Sequence, residues 1–327
     1  MAVAAPSRIK ALNRARRGVG LGGSGGVGRS DPPQRQRRIS AHRRWTMGLM
    51  VLPSVLMVVI IYAYPLFFSG SLSVHNGTLL NTGSFIGLDN FSAIFSQSAF
   101  WQAANFTLIY TVVGVFGSWA VGLALAILLR HKVHAKNVFK ALLLLPWVVP
   151  VVVSATSWQW LVSTPGSLLP SVARDLGLGN LYVLTNPALA KTVVCVYKVW
   201  LSFPFMMLMM SGALAAVEED VYEAARVDGA TAWQQFKGVT LPLILRPTYI
   251  SWVLMFIFCI GDFQSIYLLT GGGPIGASTT LVVLSYQTVF GDFQTGQGVA
   301  IGLIVALISV VVAVFLFQRI KRSRIYL

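Results

Sequence analysis

The sequence predicts an all-α polytopic membrane protein with six transmembrane helices, and three observations predict it. Its 327 residues are 55% hydrophobic and 11% charged, with mean hydropathy +0.70, whereas a soluble domain carries about 25% charge. Six apolar segments, at about 47–70, 103–129, 141–163, 189–216, 243–269 and 297–318, reach the length of about 20 residues that a helix needs to cross a bilayer. The Lys and Arg residues, 25 in all, gather on one side of those segments.

That asymmetry orients the chain. With the N-terminus inside, the inner pieces 1–46, 130–140, 217–242 and 319–327 hold nearly all the cations, including Arg130, Lys132, Lys136, Lys140, Arg226, Lys237, Arg319, Lys321, Arg322 and Arg324. The outer pieces 71–102, 164–188 and 270–296 hold Arg174 alone, while Lys191 and Lys198 are read as lying near the outer end of the fourth span. Cytoplasmic loops concentrate Lys and Arg. The expectation is therefore six spans, cytoplasmic N- and C-termini, and a cytoplasmic connection between spans four and five.

Residues 1–46 read as a disordered basic tail ahead of a membrane domain at 47–327. The tail is rich in Arg, Gly, Ser and Pro with no apolar periodicity. Next to a membrane span its charge suits anionic lipid rather than nucleic acid. Gly23 to Ser30 stands one residue from a phosphate-binding loop, but its flanks are basic and polar instead of a strand and a helix, so that reading is rejected.

The second span carries Asn105 and Tyr110 as polar candidates for a path through the bundle. His131 and His134 in the next inner loop sit among Lys and Arg, which opposes metal binding. Pro146 and Pro150 bracket a bend in the third span, read either as a fixed kink or as a hinge. Trp200 is the aromatic candidate of the fourth. Cys195 and Cys259 lie inside apolar segments and imply no disulfide framework.

Residues 217–242 form a polar island between two apolar runs. Glu218, Glu219 and Asp220 place negative charge where a helix would start. Val217, Val221, Ala224 and Ala225 recur at helical spacing. Gly229 suits a left-handed helix terminator, and Thr231 to Gln234 fits a capping box for a second short helix. Trp233 and Phe236 share a face of that helix, and Pro242 opens the next span. The prediction is a stiff helical hairpin at the membrane surface, built to dock.

The fifth span contains Asp262, and an ionisable group inside a span is a functional candidate by default. Gln264 and Tyr267 follow at helical positions, and their side chains suit hydroxyl recognition. Residues 270–276, TGGGPIG, cannot be regular helix. Tyr286 and Gln287 complete the polar candidates. For each, the plainer alternative is an interfacial aromatic or a bond between helices. No nucleophile–base spacing indicates catalysis.

Glu223-Ala224-Ala225, Gly229 and Val239-Thr240-Leu241-Pro242, at their fixed spacing, resemble the EAA loop of binding-protein-dependent ABC importer permeases. Val239 stands where that family usually has Ile, and Glu218 where it commonly has Pro. The resemblance extends over about 47–320. Phe85-Ile86-Gly87-Leu88-Asp89-Asn90-Phe91 is similar to the family's first periplasmic loop, and Leu268 to Pro274, LLTGGGP, to its carbohydrate branch. Members of the family often carry an acid where Gln264 stands.

The resemblance implies a non-enzymatic transport subunit with Glu223, Ala224, Ala225, Asp228, Gly229, Ala230, Leu241 and Pro242 coupling to an ATPase. Glu223 would be the main polar anchor. The implied partners are a second permease, two copies of a cytoplasmic ATPase, an extracytoplasmic substrate-binding protein and membrane lipid, with no nucleic acid. No cofactor belongs to this chain, because ATP and Mg would sit on the ATPase. The implied substrate is a sugar or oligosaccharide, with a polyol phosphate as alternative. An ion-coupled secondary transporter is disfavoured by six spans, a single clear intramembrane acid and no inverted repeat. A membrane scaffold that transports nothing is the third reading.

Overall fold

The computed structural model describes residues 41–78, 80–81, 83–130, 135–163, 165–177, 179 and 181–322. Most of the basic tail, His131 and His134, and the last five residues lie outside the described residues. The chain divides into two units, 1–59 and 60–327. In the first, helix α1 spans Ala41–Val58, and every side chain described in it is exposed.

The second unit is helical throughout. Among its described residues the only β features are the isolated bridges His75–Phe85 and Thr78–Asn81. After a π-turn at Val59–Ala63 come α2 (Tyr64–Ser73), α3 (Asp89–Ser96), α4 (Ser98–Leu128), α5 (Lys136–Val148), α6 (Val151–Val162), α7 (Leu168–Asp175) and α8 (Pro187–Ala215). Then follow α9 (Glu219–Val227), α10 (Ala232–Gln235), a π-turn at Phe236–Thr240, α11 (Leu241–Ile260), α12 (Gln264–Thr270), α13 (Leu281–Phe290) and α14 (Thr295–Arg322). Five stretches are long and apolar enough to span: Gly48–Ser73, Ser98–Leu128, Pro187–Ala215, Ala232–Ile260 and Thr295–Arg319. A sixth is the bent pair α5–α6.

The centre of the unit is the pair α4 and α8. Glycines on α4 let the two backbones meet: a Cβ on Gly117 would come within 2.7 Å of Val199 Cγ2, and one on Gly122 within 2.6 Å of the Met207 amide. Small residues permit this approach where helices associate in lipid. Three buried layers succeed one another along the pair. Leu123, Met210 and Ile244 lie at the hairpin end, Val115, Met206 and Met255 in the middle, and Phe106, Tyr110, Tyr197 and Ile266 beyond.

Two predicted spans are not continuous helices. The third bends by 91° between α5 and α6. Val149 precedes a proline and is extended, with φ −66° and ψ 131°, because Pro150 disfavours the helical conformation in its neighbour. The fifth, expected to run to 269, stops at Ile260 and restarts at Gln264. In the other direction, Pro242 does not open a new helix. The run from α10 into α11 continues through the π-turn, where the Leu241 amide bonds the Phe236 carbonyl.

The pieces expected outside the spans hold short helices. Apolar α13 has 10 residues, about 15 Å, too short to cross a bilayer, and it packs on α14. In the first such piece, Asn90 Nδ2 donates to Ser73 O at 2.8 Å and His75 O at 2.9 Å. Gly296 at the start of α14 leaves room for that amide.

After Thr270, the last residue of α12, the TGGGPIG segment leaves the helix. Gly271, Gly272 and Gly276 have φ of 61°, 88° and 72°. Thr279 Oγ1 and Gln287 Nε2 donate to the carbonyls of Gly272 and Gly271 at 3.0 Å each. Gln287 therefore braces the loop.

Candidate functional site

The break in the fifth span builds the first site. Beyond Ile260 the chain tightens, with the Asp262 amide bonding Cys259 O at 3.2 Å. The Phe258 carbonyl thereby loses its usual donor four residues on. Lys198 Nζ reaches across from α8 and donates to it at 3.4 Å. The same ammonium lies 2.6 Å from Asp262 Oδ2, which also accepts the Tyr110 hydroxyl of α4 at 2.8 Å. Asp262 Oδ1 accepts the amide of Ser265, in the first turn of α12, at 3.1 Å. The Lys198 and Asp262 side chains are 6% and 9% exposed.

This arrangement revises two expectations. Lys198, read as near the outer end of its span, is turned into the bundle and paired, in the helix α8 that begins at Pro187. Asp262 is not a lone acid in a continuous helix but the satisfied centre of a three-element node. The missed signal was available: Asp262 is the one acid within the spans and Lys198 the cation furthest inside the fourth, and each is costly alone, which argues for pairing. Gly114 makes the room, since a Cβ there would lie 2.7 Å from Cys259 Sγ and 3.2 Å from Lys198 Cγ.

Beside the node is an aromatic wall. Phe263 and Tyr267 stack at 4.8 Å between centroids, and Tyr286 of α13 meets them at 4.7 and 5.2 Å. Tyr267 and Tyr286 are 39% and 36% exposed, and Gln264 is exposed next to them. Trp200 is half-buried in a second ring group, 5.5 Å from Trp158 and 6.0 Å from Tyr197. Trp200 and Phe263 pack on the same buried cluster around Tyr110, Tyr197 and Ile266. Asn105 lies apart, on the exposed side of α4 with Leu108 and Val112. Phe263 and Trp158 were not singled out from sequence, because an aromatic in a span is ordinarily core.

The hairpin is the second site. α9 begins at Glu219, with Glu219 and Asp220 in its first turn. It ends in a Schellman motif: Gly229, at φ 76°, donates to Arg226 O, and Ala230 to Ala225 O, both at 3.0 Å. Thr231 then caps α10 in a full capping box with Gln234. Trp233 and Phe236 stack at 5.5 Å, and Trp233 is 69% exposed.

The apolar positions that recur at helical spacing in α9 are not its buried side. Val221 and Ala224 are exposed and Ala225 is half-buried, while Tyr222 is the buried residue. Its ring must be accommodated against Thr240, whose hydroxyl it meets at 3.1 Å. Glu223 is exposed and stands 4.0 Å from Arg226. Glu219 is the acid that ties the hairpin internally, bonding Arg226 at 3.0 Å and Arg130 at 2.9 Å. Asp228 and Pro242 are exposed, and Ala230 and Leu241 half-buried. Among the described residues no group of three or more His, Cys, Asp or Glu is placed to hold a metal.

A bundle of long apolar helices with a capped polar hairpin between the fourth and fifth spans defines a polytopic membrane protein. Residues 118–325 match the family described as binding-protein-dependent transport system inner membrane component, and the chain belongs to that family. It is 30% identical over 277 residues to the trehalose/maltose transport system permease protein MalF of Thermococcus litoralis, covering 84% of this chain and 94% of that one. It is 32% identical over 276 residues to the trehalose transport system permease protein SugA of Mycobacterium tuberculosis, covering 82% and 86%. Among solved structures, a bacterial ABC transporter that imports the acidic polysaccharide alginate has a chain of the same fold. Its TM-score is 0.73 at 22% identity, covering 86% of this chain and 96% of that one.

Proposed function

We propose that this chain is one permease of an ATP-driven importer for a neutral sugar or oligosaccharide delivered by an extracytoplasmic binding protein. It pairs with a second permease and two copies of an ATPase that carry the ATP and Mg. The steep Lys/Arg asymmetry supports a topology with both termini and the hairpin in the cytoplasm. The membrane domain is taken as 47–327, and the basic tail 1–46 as a lipid-contacting extension.

The observation that carries the substrate class is the exposed aromatic wall beside a neutralised ion pair. Ring faces suit the C–H surfaces of sugars, and Gln264 and the two phenols suit hydroxyls. Both lysines of α8 are engaged, Lys198 with Asp262 and Lys191 over the Phe106 ring at 5.9 Å. That weighs against a phosphate-bearing substrate, and the names of the trehalose and maltose permeases point the same way. Asp262 acts as a structural centre rather than as a free acceptor for substrate.

The test is uptake by the reconstituted complex, presented with a panel of neutral and acidic sugars. Tyr286→Ala is expected to lower uptake of the preferred neutral sugar about tenfold, the worth of one well-placed aromatic contact, with basal ATP hydrolysis unchanged. Wild-type uptake in that variant would remove the wall from the path.

The hairpin is read as the ATPase-docking element, with Glu223, Trp233 and the Gly229 bend presented outward. Gly229→Val has open space for its side chain but must hold φ 76°, at a cost of about 1–2 kcal/mol. The ATPase should co-purify less with this variant while the bundle still inserts. Undiminished recovery of the ATPase would count against the docking role.

A further inference from the structure

We propose that Arg130 is a positioning residue for transport, the tie through which movement of the hairpin reaches α4. The proposal rests on the docking role given to the hairpin above. The hairpin is covalently joined to α8 on one side and α11 on the other, but to α4 it has no such connection. Phe236 of the hairpin packs on the buried cluster that holds Leu123, Ala126 and Leu129, but α9 faces the end of α4 across open space. A cavity of about 420 Å³ lies between the end of α4 and the hairpin, bordered by Ile127, Leu214, Tyr222 and Phe236. A gap transmits no push.

Arg130 bridges that gap. Its Nη2 lies 2.9 Å from Glu219 Oε2, and its guanidinium sits 4.2 Å from the centre of the Tyr222 ring. Both partners are on α9. Glu219 is held in place by Arg226 at 3.0 Å, and Tyr222 by Thr240 at 3.1 Å. The tie therefore grips α9 at two points, one electrostatic and one aromatic, each braced from behind.

What it pulls on is a long rigid element. α4 runs unbroken from Ser98 to Leu128. Tyr110, whose hydroxyl bonds Asp262, lies about 30 Å along the chain direction from Arg130 at 1.5 Å per residue. One end of α4 thus holds the hairpin and its middle holds the broken fifth span beside the aromatic wall. Exposed ion pairs add little stability, and Arg130 and Glu219 are 29% and 61% exposed. Its loss is therefore expected to affect coupling far more than assembly.

The experiment uses the complete transporter in proteoliposomes with its binding protein, reading sugar taken up per ATP hydrolysed. Arg130→Ala should lower that ratio at least fivefold, with ATP hydrolysis and ATPase co-purification retained. Arg130→Lys should keep an intermediate ratio, having the charge without the planar fork. The exchange Arg130→Glu with Glu219→Arg should recover at least threefold over Arg130→Glu alone. A wild-type ratio in Arg130→Ala would overturn the proposal. So would parallel loss of uptake, hydrolysis and co-purification with no recovery in Arg130→Lys or the exchange, since that is the signature of a merely structural residue. Failure of the underlying reading shows differently, as a wild-type chain that recovers no ATPase.

Discussion

Lys198→Met is expected to destabilise the membrane domain by about 3 kcal/mol, because it leaves a carboxylate buried without its counter-charge. The Met side chain keeps most of the lysine stem that lies against Gly114, so lost packing contributes little. Asp262 retains the Tyr110 hydroxyl and the Ser265 amide, which places the cost at the lower end of the range for broken buried pairs. Adding Asp262→Asn removes the orphaned charge and keeps the shape. The double variant should therefore melt well above the single one when the detergent-purified complex is heated. Equal melting of wild type and Lys198→Met would show that the pair is not closed in the folded protein.

Gly122→Val should separate α4 from α8. The new Cβ would stand 2.6 Å from the Met207 amide and 2.7 Å from Met206 Cβ. Neither neighbour is the free end of a flexible side chain, so the helices themselves must move. Overpacking of this kind costs about 1–3 kcal/mol, and here it falls where three buried layers are stacked. The control is Gly212→Ala on α8, which meets nothing within 4 Å and should gain about 0.5–1 kcal/mol of helix preference. Chain level in the membrane and melting temperature should fall for the first and hold or rise for the second. A Gly122→Val protein of normal stability would mean that the two helices pack less closely than described.

The hairpin was largely legible in the sequence, since its signals are local. Gly229 adopts the positive φ, Thr231 and Gln234 form the box, and Trp233 stacks on Phe236 within a few residues of chain. The inward side of α9 was not legible. Val221 and Ala224 are the apolar residues by composition, yet Tyr222 is the one buried, because what it packs on is Thr240 and the guanidinium of Arg130, far away in sequence. For the same reason Glu223 stood out through its motif, while Glu219 carries the bonds.

The breaks in spans three and five divide along similar lines. Pro146 and Pro150 announced the bend at Val149, because the prohibition is steric and acts on the adjoining residue. The stop at Gly261 to Phe263 was hidden inside an apolar run, where averaging over a span-length window conceals three residues. Tyr267 and Tyr286 were both candidates, and Phe263 stands four residues before Tyr267 on a helical spacing, but nothing local joined Tyr286 of α13 to that pair.

By itself the sequence determined the class of protein, the number of apolar segments, the charge asymmetry and the hairpin, since length, composition and local backbone chemistry suffice for these. The tertiary structure alone decided that Lys198, Asp262 and Tyr110 form one node, that the fifth span is broken at it, and that Arg130 reaches across a cavity to Glu219. The reason is physical. A buried charge is tolerable only where a partner arrives from another helix, and no local rule states which residues of α4, α8 and α11 will share one layer once α4 lies against α8 at Gly114, Gly117 and Gly122.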